Sequence, residues 1–155
     1  MTLPIAVRPI LACALLALSL AAGAQTAAVA ESAQTTTARK DGAAVRAALD
    51  SYIDAGRQGR SGIMRDAFLP QATIYGHGAD GTLSGGPIAT LFDYVDTHSP
   101  ATELEAHVVS IEIFGTIAQA RVESSNWHGA RYTDLFQLLK VDGEWKILSK
   151  IYDTR

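Results

Sequence analysis

From Glu103 to Tyr152 the chain reads as strand after strand with almost no room to turn between them. The segments Glu103–Phe114, Ile117–Trp127, Arg131–Lys140 and Glu144–Tyr152 are joined by Gly115-Thr116, His128-Gly129-Ala130 and Asp142-Gly143. Connections this short allow only antiparallel neighbours, and Asp-Gly is a strong two-residue hairpin signal. A meander of this kind needs one face covered. The cover lies upstream, where the apolar period becomes helical. After Asp41, a plausible N-cap, Val45, Ala48, Leu49, Tyr52, Ile53 and Gly56 form an amphipathic stripe, and Gly56 and Gly59 end it. Ser61 caps a short second helix carrying Ile63, Met64, Ala67 and Phe68, stopped by Pro70. Ala72 to His77 is a strand, and Gly78 to Gly86 a glycine-rich turn with a brief return strand. Pro87 then opens a third helix with Ile88, Leu91, Phe92 and Val95 on one face. The expected fold is α+β: three N-terminal helices packed in the concave face of a curved, mainly antiparallel sheet.

The first residues have a different character. Arg8, the apolar run Ile10–Leu20 and the small residues Ala22-Gly23-Ala24 have the pattern of an export signal, and the run is too short to span a bilayer. Residues 1–24 are expected to be a signal peptide, 25–40 a disordered tether of Ala, Thr, Ser and Gln, and 41–155 a single domain. Cleavage after Ala24 would leave 131 of the 155 residues, in the periplasm or secreted, with no membrane anchor. The single cysteine, Cys13, lies within the apolar run, so the mature chain would have no thiol for a disulfide, a thiolate metal site or a nucleophile. Loss of Arg8 leaves 12 basic against 16 acidic residues, and no basic run occurs. Nucleic acid is therefore not an expected partner. His77, His98, His107 and His128 show no paired ligand spacing, and no phosphate loop is present, so neither a metal nor a cofactor is expected.

Particular residues carry a family likeness. Tyr52 in the first helix, Phe68-Leu69-Pro70-Gln71-Ala72, Ile113-Phe114-Gly115, Tyr132-Thr133-Asp134 and Leu138 through Ile147 resemble the nuclear transport factor two-like superfamily. This is the cone-shaped, cystatin-like fold shared with ketosteroid isomerase, and within it the chain is most similar to the bacterial "putative lumazine-binding" group. The likeness spans Asp41 to Tyr152. It implies a fold rather than a function, because this fold carries isomerases, dehydratases, cyclases and non-catalytic binders. It also implies an acid in the cavity and dimerisation through the outer sheet face.

Register follows from the turns, because a slip of one residue moves every side chain to the other face. A two-residue Asp142-Gly143 loop sets Leu138 opposite Ile147, Phe136 opposite Ser149 and Asp134 opposite Ile151. A three-residue loop at His128–Ala130 turns Ala118, Ala120, Val122, Ser124 and Asn126 inward and keeps Arg121 and Glu123 out of the core. Continued through Gly115-Thr116, this register sets His107 beside Ser124. The reading groups Asp134, His107 and Tyr132 as candidate acid–base residues. Tyr52, His77, Ser124, Asn126, Phe92 and Phe136 are the candidate ligand contacts. Trp127 reads as outward, and Lys150 falls on the outer face beside Leu135 and Leu148. The outer stripe Leu135, Leu139, Leu148 and Tyr152 suggests a homodimer. The expected function is binding of a small, partly apolar organic molecule. Cofactor-free isomerase, dehydratase or lyase chemistry by Asp134 and His107 is one version of it, and a non-catalytic accessory dimer is another.

Overall fold

A computed structural model describes residues 15–155. Residues 1–14, which hold most of the expected signal sequence, lie outside the described residues. The elements are α1 (Leu15–Gln58), two short 3-10 turns (Ser61–Ile63 and Arg65–Ala67), β1 (Phe68–His77), β2 (Leu83–Pro87), α2 (Ala89–Thr97), β3 (Glu105–Phe114), β4 (Ile117–Trp127), β5 (Ala130–Val141) and β6 (Glu144–Thr154). The chain divides into two compact units between Ala38 and Arg39. No described helix is long and apolar enough to cross a membrane.

The second unit, Arg39–Arg155, is the expected α+β fold, with two helices against one curved six-stranded sheet. The sheet order is β2-β1-β6-β5-β4-β3, antiparallel throughout except for the parallel β1–β6 pair. Its core joins the α1 stripe of Val45, Leu49, Tyr52 and Ile53 and the α2 stripe of Leu91, Phe92 and Val95 to Val122, Phe136, Leu138, Trp145 and Ile147. Each buried aliphatic or aromatic side chain of this kind contributes about 1.5–3 kcal/mol.

Three bulges set the inner face. On β3, Val109 is an extra residue: Ser110 pairs with Arg121 but Val108 with Val122. On β4 the register shifts between Ser124 and Trp127, with Asn126 at φ 61°. On β6 it shifts at Leu148: Leu138 pairs with Ile147, but Gln137 with Ser149. Each extra residue bends its strand and reverses the in–out alternation beyond it.

Several expectations change accordingly. The His128 turn has two residues, not three, since Trp127 pairs with Ala130, and His128 (φ 52°) and Gly129 (φ 84°) take the left-handed conformation of a tight hairpin. Ala118, Ala120, Val122 and Ser124 still face inward, because the bulge at Asn126 supplies the odd residue that the turn does not. Asp134 therefore lies opposite Val122 and Tyr152, not Ser124 and Ile151. The second predicted helix is only the pair of 3-10 turns, and Phe68-Leu69-Pro70 already belongs to β1. Residues 25–40, expected as a disordered tether, are helical within α1. Alanine is the strongest helix former, and the hydroxyls of Thr35, Thr36 and Thr37 donate to carbonyls one turn back at 2.8–2.9 Å. Asp41 is consequently no cap. Its carboxylate accepts from Lys140 Nζ (2.6 Å) and Trp145 Nε1 (3.0 Å), pinning α1 to the β5–β6 hairpin. The Lys140 and then the Trp145 hydrogen bonds hold its pKa below the usual carboxylate range.

Candidate functional site

Asp134 is fully buried on the inner face of β5. A carboxylate there is tolerated only with donors, and two elements supply them. From α1, Tyr52 donates its hydroxyl to Oδ2 at 2.8 Å. From β6, the Lys150 ammonium reaches Oδ1 at 2.6 Å, and Lys150 is itself only 3% exposed. Burial pushes the Tyr52 phenol well above its ordinary pKa, and the Asp134 charge and hydrogen bond raise it further. Tyr52 therefore stays an O–H donor.

The Lys150 ammonium is ringed by aromatic faces. The centroids of Tyr152, Tyr52 and Tyr132 lie 4.8, 5.4 and 5.9 Å from Nζ, within cation–π range. These four residues form one side of a cavity of about 270 Å³, which Ile74, Leu91, Tyr94 and Trp127 enclose further. Ser84 and Thr90 add hydroxyls, and Ser84 Oγ lies 2.7 Å from the Tyr152 hydroxyl. Asp134 itself sits behind Lys150 and does not line the cavity. Trp127 packs against Tyr52 with centroids 5.2 Å apart, in space left by Gly56: a methyl group there would sit 2.6 Å from the indole.

Tyr94, on α2, places its hydroxyl 2.8 Å from His128 Nδ1, while His128 Nε2 lies 2.8 Å from the Ser99 carbonyl oxygen. A carbonyl can only accept, so Nε2 carries a proton, and in the tautomer protonated there alone Nδ1 accepts from the Tyr94 hydroxyl. Burial raises the pKa of both the Tyr94 and the Tyr132 phenols.

The predicted constellation is only partly assembled. Tyr52 and Tyr132 line the cavity, and Asp134 stands behind it. His107 does not join them: the Val109 bulge turns it to the outer face opposite Glu123, where it is exposed. The expected acid–base grouping of His107 with Asp134 is therefore withdrawn. Ser124 is buried on the inner face, and its hydroxyl has no hydrogen-bond partner among the described residues. Asn126 is the exposed bulge residue, not an inward ligand contact, and His77 is exposed at the end of β1. Phe92 stacks edge-on against Phe68 and Phe136 against Tyr52, both as core. Trp127 is buried rather than outward.

The residue that sequence reasoning misplaced is Lys150. The unforeseen bulge at Leu148 turns Lys150 and Tyr152 inward and leaves Ile151 52% exposed outside. A signal for it existed. An aspartate assigned to an apolar inner face demands a cation, and Lys150 is the immediate neighbour of Ile151, the residue then paired with it. Among the described residues, no three His, Cys, Asp or Glu side chains converge as metal ligands.

Helices closing an aromatic cavity over a curved sheet, with a buried acid–lysine–tyrosine cluster at its wall, define a cone-shaped pocket protein of the nuclear transport factor two-like class. Residues 40–153 match the family described as "Putative lumazine-binding", and the chain belongs to that family. It is 36% identical over 110 residues to the aldolase FrzH of Cladobotryum sp., covering 70% of this chain and 87% of that one. A solved NTF2-like protein of unknown function from Shewanella baltica OS155 is 44% identical, with a TM-score of 0.71 over 75% of this chain and 94% of the other. A ketosteroid isomerase-like protein from Erwinia carotovora atroseptica shares the fold at 16% identity and a TM-score of 0.54, over 72% of this chain and 94% of that one.

Proposed function

We propose that this protein binds a small, partly apolar carbonyl compound and catalyses cofactor-free aldol or retro-aldol chemistry on it at the Lys150–Asp134–Tyr52 cluster. The observation that carries this reading is a buried ammonium, fixed by Asp134 and facing an aromatic cavity. A cation held in place before the reaction stabilises a developing enolate oxygen strongly, because little water competes and nothing must reorganise. Tyr94 supplies the complementary step. Its oxygen takes the proton of a substrate hydroxyl while its own proton passes to His128 Nδ1. The name of the 36%-identical aldolase agrees in reaction class.

The test substrate is 4-hydroxy-4-phenylbutan-2-one, which cleaves to benzaldehyde and acetone and is followed by benzaldehyde absorbance. The protein is expected to accelerate cleavage, and Tyr94→Phe to slow it by about 10²–10⁴-fold, the usual worth of a positioned acid–base group. If wild-type protein leaves the cleavage rate unchanged and neither the substrate nor benzaldehyde raises its melting temperature, the reading fails.

The compartment and assembly belong to the same proposal. The Arg8, Ile10–Leu20 and Ala22-Gly23-Ala24 pattern supports export with cleavage after Ala24. Leu135 (44% exposed) and Ile151 (52%), directly paired on the outer face, support a dimer through it. Native mass spectrometry of the secreted or periplasmic fraction is expected to give twice the mass of residues 25–155, and Leu135→Glu with Ile151→Glu to give the monomer. Retention of Met1, or a dimer unchanged by the double substitution, would refute the corresponding half.

A further inference from the structure

The surroundings of Lys150 suit more than electrostatic polarisation. Lys150 lines the cavity, while Asp134, whose Oδ1 is the ion-pair partner 2.6 Å from its Nζ, does not. The nitrogen is thus placed between a ligand space on one side and a base on the other. Asp134 Oδ2 is already engaged by the Tyr52 hydroxyl, so the carboxylate is fixed and offers Oδ1 to Lys150 alone. The rings of Tyr52, Tyr132 and Tyr152 hold the amine in one orientation. Lys150 is also almost wholly shielded from bulk solvent.

From this geometry we infer that Lys150 condenses with a ketone or aldehyde ligand to form an iminium on Nζ. The inference rests on the carbonyl-site reading above and deepens it. The atoms balance without a cofactor. Lys150 passes one proton to Asp134, and the freed nitrogen lone pair attacks the carbonyl carbon. The carbonyl oxygen takes that proton from Asp134 and becomes a hydroxyl. A second N–H proton, relayed through Asp134, lets the C–O bond break and water leave. Ammonium plus carbonyl becomes iminium plus water, and the charge at Nζ is the same before and after. The features that hold the resting ammonium, the Asp134 carboxylate and the three aromatic faces, therefore hold the iminium equally well. In the cleavage direction Tyr94 takes the substrate hydroxyl proton and passes its own to His128, while the iminium draws in the electron pair of the breaking carbon–carbon bond, giving a neutral enamine and releasing the aldehyde. The proton then held by His128 returns through the Tyr94 hydroxyl to the enamine carbon, and water regenerates the ketone and Lys150. The ligand class is a small ketone or aldehyde with an apolar or aromatic substituent, because tyrosine, tryptophan, isoleucine and leucine make most of the wall.

The test is reductive trapping of the intact folded protein with acetone and sodium cyanoborohydride, followed by peptide mapping. One isopropyl group is expected on Lys150, formed at least tenfold faster than on Lys40, Lys140 or Lys146. In urea-unfolded protein that preference should vanish. Lys150→Arg keeps a cation beside Asp134 but cannot condense, so it should abolish trapping and cleavage together. Trapping spread over the other lysines with none on Lys150 would overturn the inference, whatever Lys150→Arg does to folding. Benzaldehyde release by wild-type protein without a Lys150 adduct would leave the carbonyl-site reading standing and remove the iminium. A Lys150 adduct without benzaldehyde release would support the iminium and count against aldol turnover.

Discussion

Replacing Lys150 with methionine is expected to destabilise the folded domain by about 3–5 kcal/mol, lowering its melting temperature by roughly 10–20 °C. The reason is what the substitution leaves behind. Asp134 is fully buried, and without the ammonium its Oδ1 would face an apolar side chain, with only Tyr52 still donating to Oδ2. Methionine is unbranched and only about one atom shorter than lysine, so little of the loss can be ascribed to a cavity. Pairing the change with Asp134→Leu removes both charges and should restore most of the stability, because replacing a whole buried ion pair by apolar groups is near neutral or stabilising. Urea denaturation of both variants separates the contributions. A Lys150→Met protein within 1 kcal/mol of wild type would show that Asp134 does not depend on Lys150. If the double variant folds well and yet neither binds nor cleaves the hydroxyketone, the ion pair is maintained for function rather than for stability.

Gly76→Ala is the second large effect expected, from a residue that carries no chemistry. Gly76 on β1 pairs with Tyr152 on the parallel neighbour β6, and the Tyr152 ring lies directly over it. A methyl group at Gly76 would sit 2.5 Å from the Tyr152 Cγ, and closer still to its backbone carbonyl oxygen. A flexible side-chain end could move aside, but strand backbone cannot without breaking the ladder. The cost should reach or exceed the upper end of overpacking penalties, about 3 kcal/mol. Tyr152 would also be pushed from the cavity wall, separating its hydroxyl from Ser84 and removing one aromatic face from Lys150. Ligand-induced thermal stabilisation should therefore disappear even at temperatures where the variant remains folded. A Gly76→Ala protein of wild-type stability with unchanged binding would show that this close approach does not shape the site.

Much of the architecture was legible because it depends on local periodicity. The α1 stripe, the α2 stripe and the strands linked by tight turns are each written in a few consecutive residues, and these features led to an α+β cone. Both ends of the candidate site were legible too. Tyr52 lies on a helical stripe and Asp134 on an alternating strand, and each pattern fixes an inward direction on its own. The segment 25–40 was misjudged because low hydrophobicity suggests disorder, whereas the alanine and threonine there are helical in the structure.

What the sequence determined by itself was the two main helical stripes, the six strands, their order and which strands are joined by hairpins, because turns and propensities act between near neighbours. Only the tertiary structure decided which residues beyond each bulge face the cavity. A bulge leaves little local mark. Val109, Asn126 and Leu148 are ordinary residues in strands that read as regular, and nothing within a few positions specifies the extra residue. The sheet needs them because it must curve around α1 and α2, and curvature requires local breaks in the ladder. Their consequence is binary. His107 was turned to the outside and Lys150 to the inside, so the partner of Asp134 proved to be a lysine on β6 rather than a histidine on β3. Side-chain direction in a strand alternates residue by residue, so one uncounted residue reverses everything beyond it, and only the packed sheet fixes the count.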